Sequence, residues 1–316
     1  TSIAIITGNT TRKAVFALIL ALTALPWLSV KYVPVTAALA AYFLYKNWNN
    51  ERKKTYFFSL VMGISAIAYL IIHKRIYGGW TVYASGDHFV NGEFEVVGRN
   101  PNLAARTRRL SGLLLDQQFG LIPWTPAFFA LIPAFAFTVK ERFKETSLLL
   151  LCAVVGWSVA TWVALTMHGW WWPGRQLVVI LPTAIIAMAI LAEKFKAWRW
   201  FIYLGGISGV TAWLWLAFEA TTDRRTLVVD FYETSYPVYQ ALADVLPDFT
   251  DFDQSAVLSN GIWLTGIAVA TILTVTIKTK VPTKRPFIRY ETHTQTLKIQ
   301  GTKSKLEISK QVFEEH

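Results

Sequence analysis

Eight apolar runs dominate the chain, at 14–30, 32–45, 56–73, 121–139, 146–167, 176–193, 200–218 and 260–277. An α-helix rises about 1.5 Å per residue, so roughly 20 apolar residues cross a hydrocarbon core about 30 Å thick. Most of the runs reach that length. Composition agrees: 53% of the 316 residues are hydrophobic and 16% are charged, against about a quarter charged in a soluble domain. The expected fold class is all-α, a polytopic transmembrane helix bundle of about eight spans. The second run is short. With Pro26 and Pro34 flanking Lys31, the first two form a broken hairpin whose tip is wet.

The basic residues set the expected sidedness. Arg12 and Lys13 precede the first run; Lys46, Arg52, Lys53 and Lys54 follow the second. Lys140, Arg142 and Lys144 follow the fourth, and Lys194, Lys196 and Arg199 follow the sixth. If each run crosses once, these segments share one face with the basic tail 278–316, and the positive-inside rule makes that face cytoplasmic. Both ends of the chain then lie in the cytoplasm and the protein is multi-pass in the plasma (inner) membrane. The net charge of +11 is accounted for by topology and attraction to anionic membrane lipid, with no nucleic acid required. Residues 1–277 form the bundle, with outer loops 74–120 and 219–259. The first loop carries an interfacial helix, and the second is a small acidic cap with an amphipathic helix near 234–246. The tail contains an alternating stretch, TLKIQGTKSKLEIS, that reads as a hairpin around Gly301. The single cysteine, Cys152, lies inside a run, so there is no disulfide framework. The first residue is Thr1 and no signal-peptide pattern begins the chain. We read it as the later part of a longer protein or a processed form.

No Asp, Glu, Lys or Arg falls in the middle of a run. Transporters and pumps hold substrate or protons with ionisable groups near the midplane, so a lipid or polysaccharide transporter is the third choice. Polar character gathers in the outer loops instead. In 103–114, leucines fall on one side of a helical wheel and Arg106, Arg108 and Arg109 on the other, the pattern of a helix lying in the membrane surface. Arg106 and Arg109 are candidates for a phosphate, which a guanidinium grips with a bidentate fork. Asp116 stands just before an apolar run containing Pro123 and Pro126. It is placed either to cap that helix or to orient a sugar hydroxyl, with the prolines opening a cavity wall. The segment HGWWWPGRQ (168–176) joins the fifth and sixth runs. Trp170, Trp171 and Trp172 cannot all face lipid. Pro173 suits the first turn of a helix, Gly174 admits a ligand close to the backbone, and Arg175 stands where helix N–H groups favour an anion. His88 and His168 are the outer histidines able to act as acid or base. No Cys pair, H-x-x-x-H or carboxylate cluster has ligand spacing, so no protein-built metal site is expected.

Three segments together carry a resemblance: LPWLSVKY (25–32), LLLDQQFGLIPWTPAF (113–128) and HGWWWPGRQLVVILP (168–182). In order and spacing they resemble the later portion of GT-C superfamily integral-membrane glycosyltransferases, of the protein O-mannosyltransferase and aminoarabinose transferase type. The resemblance covers roughly residues 14–200. It implies transfer of a sugar from a polyprenyl-phosphate carrier to a glycan, lipid or protein acceptor on the outer side of the membrane. No cofactor is identified beyond that donor, and a divalent ion is left open. Arg175 and Trp170–Trp172 would border the carrier's phosphate and sugar, His168 would join them, and Asp116 and Gln117 would lie at the cavity rim. The family's catalytic carboxylate belongs to an early outer loop, and Asp87 is the stand-in that this sequence offers. The alternative expectation is a non-catalytic membrane subunit or scaffold of a larger complex.

Overall fold

The computed structural model describes residues 11–49, 51–80, 84, 102–141, 146–164, 166–169, 172–226 and 229–277. Within these it is all helical. α1 (Arg12–Leu28) begins where the Thr11 hydroxyl accepts from the Ala14 N–H at 3.2 Å, and it carries Pro26 in its last turn. α2 (Tyr32–Asn47) turns back after Ser29, and α3 (Arg52–Tyr77) ends on Gly78, whose φ of 78° puts it in the left-handed region that glycine adopts without penalty. α4 (Leu103–Arg106) and α5 (Arg109–Leu115) are short, as is α6 (Leu121–Trp124). A 3-10 turn, Pro126–Ala130, leads into α7 (Leu131–Glu141). α8 (Thr146–Ser158) runs into a π turn, Val159–Val163. A 3-10 turn at Arg175–Leu177 precedes α9 (Leu181–Lys194) and α10 (Lys196–Thr221). Another, Phe231–Glu233, precedes α11 (Pro237–Ala243), and α12 (Gln254–Thr276) closes the described chain, capped by Asp253.

Four of the predicted eight runs are helices long and apolar enough to cross a membrane: Arg52–Tyr77, Thr146–Val163, Lys196–Thr221 and Gln254–Thr276. The other four are shorter. α1 and α2 have 17 and 16 residues, and α9 has 14 because it starts at Leu181, not at 176. The run 121–139 is broken into α6, a 3-10 turn and the 11-residue α7. Pro126 removes an N–H at that break. The interrupted backbone is buried in protein: Gly205 and Gly209 of α10 lie so close that a Cβ would come within 2.4 Å of the Ala127 nitrogen and 2.5 Å of the Thr125 hydroxyl. This small-xxx-small spacing lets a helix approach without a hydrophobic driving force from lipid.

Two apolar clusters fill the interior beneath the site. Val15, Leu18, Leu22, Leu39, Phe43, Phe58, Leu148 and Cys152 join α1, α2 and α3 to α8. Ala134, Phe137, Leu149, Ala187 and Leu191 join α7, α8 and α9. At one end of the helices Lys140 Nζ donates to the Ile277 carbonyl at 2.7 Å and Trp198 Nε1 to Thr274 at 3.0 Å. The interfacial helix expected over 103–114 is divided at Thr107 and Arg108, and Leu113, Leu114 and Leu115 turn into the protein core. The amphipathic helix expected near 234–246 is the seven-residue α11. The tail and its hairpin lie outside the described residues.

Candidate functional site

Among the described residues, the buried charged or titratable side chains of acid, histidine and arginine type gather at the other end: His73, Arg106, Asp116 and Glu219. All three segments of the sequence resemblance meet there too. Lys31 Nζ donates to the Arg175 carbonyl at 3.4 Å, across 144 residues of chain. Asp116 and His168 are joined by a 3.2 Å hydrogen bond between Oδ2 and Nε2.

Asp116 organises this end. It follows the last turn of α5 and is completely buried. Oδ1 accepts from the Gln118 and Phe119 N–H groups at 3.0 and 2.6 Å. Oδ2 accepts from the Phe249 N–H at 3.0 Å as well as from His168. One carboxylate thus ties the turn after α5, the 168–176 loop and the segment after α11 to one another. Asp116 holds the turn 117–119 and does not cap the helix that follows, since α6 begins after Gly120 with no side-chain cap; nor does it lie at a rim, because no part of the residue reaches solvent. Gly120 is needed beside it, since a Cβ there would sit 2.5 Å from the Asp116 carbonyl. Gln117 donates its N–H to the Pro247 carbonyl at 3.0 Å and lines a cavity of about 320 Å³ with Asp244, Asp248, Asp251 and Asp253.

The 168–176 loop differs from expectation in two places. α9 starts six residues after Arg175, with Pro182 rather than Pro173 in its first turn. Arg175 instead opens the one-turn 3-10 helix, its N–H bonded to the Trp172 carbonyl at 3.2 Å. Arg175 therefore does not stand at the N-terminus of the long helix, while its side chain is exposed at the site. Gly174, at φ 74°, is approached by the Leu121 side chain, whose Cδ2 would lie 2.7 Å from a Cβ. Protein fills the space assigned to a ligand. Trp172 packs at the edge of a cluster of Phe119, Trp124, Phe231, Tyr236 and Tyr239, its ring centroid 6.0 Å from that of Phe231. Trp170, Trp171, Asp87 and His88 lie outside the described residues.

The arginines point inward as well as outward. Arg106 is buried and donates to the Trp162 carbonyl at 2.6 Å, and Arg109 donates to the Ala164 carbonyl at 2.6 Å. They satisfy carbonyls left at the end of the π turn, where positive charge also suits the helix dipole. Burial, and then the neighbouring Arg106, lower the Arg109 guanidinium to about 10.

Glu219 was missed in the sequence. It is 3% exposed at the last turn of α10, where the dipole disfavours an anion. Specific donors offset that: Thr234 Oγ1 at 2.7 Å, the Ser235 N–H at 2.9 Å and Trp215 Nε1 at 3.2 Å. An acid at the C-terminal end of a long apolar helix is the signal that would have found it. Together Asp116 and Glu219 fasten both ends of the 234–249 segment over Phe119, Trp124 and Trp172. Compared with protein-family models, curated proteins and solved structures, the chain matches none.

Proposed function

We propose that this is a membrane glycosyltransferase, or the C-terminal portion of one, that takes a sugar from a polyprenyl-phosphate carrier and gives it to an acceptor on the outer side of the membrane. The observation that carries the reading is the meeting of three distant segments, the Lys31 tip, the Asp116 turn and the His168–Arg175 loop, at one end of apolar helices. Two cationic residues, Lys31 and Arg175, belong to this end, the Lys31 ammonium lying on the Arg175 backbone carbonyl. A leaving phosphate gains charge as the glycosyl bond breaks, and fixed cationic donors stabilise that charge. Trp172 offers an aromatic face to a sugar ring. Arg106 and Arg109 add positive charge nearby, although their guanidiniums also hold backbone carbonyls. The basic turns around Lys53, Lys140 and Lys194 belong on the cytoplasmic side in this reading.

The test is donor binding and sugar release, with the full chain in lipid nanodiscs and radiolabelled polyprenyl-phosphate mannose and pentose donors. Arg175→Ala is expected to weaken donor binding roughly ten- to a hundredfold, the worth of a hydrogen bond to a charged group. Undiminished binding and release by that variant would remove Arg175 from the phosphate site. Wild-type protein that binds none of the donors would end the transfer reading.

A further inference from the structure

We propose that His168 is the proton acceptor of this site and that Asp116 is its positioning residue. The inference rests on the transfer reading and deepens it by naming the group that activates the acceptor. Both oxygens of Asp116 accept backbone N–H groups, from Gln118, Phe119 and Phe249. A carboxylate used this way is an acceptor for its fourth partner too, so the 3.2 Å contact makes His168 Nε2 the donor. In the neutral imidazole that fixes the tautomer, with the proton on Nε2 and the lone pair on Nδ1. Among the described residues Nδ1 has no hydrogen-bond partner.

The ring is held but not enclosed. Phe119 meets it edge to face, with centroids 5.1 Å apart and planes at 87°, while 28% of the His168 side chain stays exposed and Asp116 has no exposure at all. His73 is the internal contrast. It is buried, its Nδ1 lies 3.3 Å from the Gly79 carbonyl, and it sits between Tyr69 and Tyr77 as a packed residue. A buried acid orienting a part-exposed imidazole whose second nitrogen makes no hydrogen bond among the described residues is an arrangement suited to general-base catalysis. In the proposed step the acceptor hydroxyl loses its proton to Nδ1 as its oxygen bonds to the anomeric carbon. The bond from that carbon to the carrier's phosphate oxygen breaks, and its electron pair leaves on the phosphate. The imidazolium then returns its proton to water.

Two measurements on the full chain in nanodiscs test this. Diethyl pyrocarbonate acylates imidazole nitrogens that carry an open lone pair, and peptide mass spectrometry follows each of the five histidines. His168 is expected to react at least about tenfold faster than His73, since general-base histidines keep an accessible basic nitrogen. Resistance of His168 while tail residue His316 reacts would overturn the proposal. The second measurement is release of sugar from polyprenyl-phosphate mannose and pentose donors, with water as acceptor. His168→Gln keeps an N–H for Asp116 but has no basic nitrogen. With donor saturating, it is expected to lose about 10²- to 10⁴-fold in release. Wild-type release rates in His168→Gln would sink the assignment. If wild-type protein binds no donor, the transfer reading fails separately, and the acylation result still decides whether His168 offers an open base.

Discussion

Removing the fully buried Asp116 side chain leaves three backbone N–H groups and one half-buried imidazole without their acceptor. Asp116→Ala is therefore expected to destabilise the fold by about 3–5 kcal/mol, the usual consequence of breaking a buried charged network on one side. Unfolding in detergent measures it, and a loss below about 1 kcal/mol would show the network to be weak. Tyr239 gives a pH-dependent counterpart. Burial, then the Asp116 carboxylate, then Tyr232 raise its phenol above the ordinary 10.0. The unfolded chain releases this proton first, so stability present below pH 10 is lost as pH climbs beyond it. Tyr239→Phe is expected to flatten that alkaline decline, followed as melting temperature between pH 8 and 11. At this scale the sequence was half legible. Asp116, His168 and Arg175 were visible as polar groups at run ends, and the structure brings the first two into contact. The inward turn of Arg106 was not visible, because a helical wheel has no knowledge of the carbonyls that another helix leaves unsatisfied.

At the scale of elements, α10 lies against the broken 121–141 segment through Gly205 and Gly209, while Gly206 faces open space. Gly205→Leu is expected to force the two apart and cost about 1–3 kcal/mol or more by overpacking. Gly206→Ala is the control and is expected to be neutral or slightly stabilising, because helix propensity favours alanine by up to about 1 kcal/mol. Thermal unfolding of the two variants decides it; equal effects would show that the close contact carries no weight. Hydropathy located this segment but not its interruption. Pro123, Pro126 and Pro133 announce trouble in a helix without saying where it breaks. The break at Thr125 is settled by what packs on it.

For the whole molecule, the proposed function places the two ends on opposite sides of a bilayer. The single native cysteine is buried, which makes a Cys152→Ala background practical. Thr107→Cys and Asp251→Cys, at the site end, are expected to react with a membrane-impermeant maleimide from one side. Asn49→Cys and Glu193→Cys are expected to react only from the other. Labelling of Asp251→Cys and Glu193→Cys from the same side would remove the proposed orientation, and with it the outer placement of the site.

What the sequence determined alone is the helical, membrane-type character of the chain and the placing of its charges between the apolar runs. Both follow from local quantities, the length of apolar runs and the charge between them, that no later packing can reverse. The tertiary structure decided which runs remain unbroken. It also decided that Glu219 has donors enough to be buried, and that a carboxylate at 116 meets an imidazole at 168. Those are contacts between residues far apart in the chain, and their energies depend on distances of a few tenths of an ångström. No spacing along a single strand of sequence encodes them.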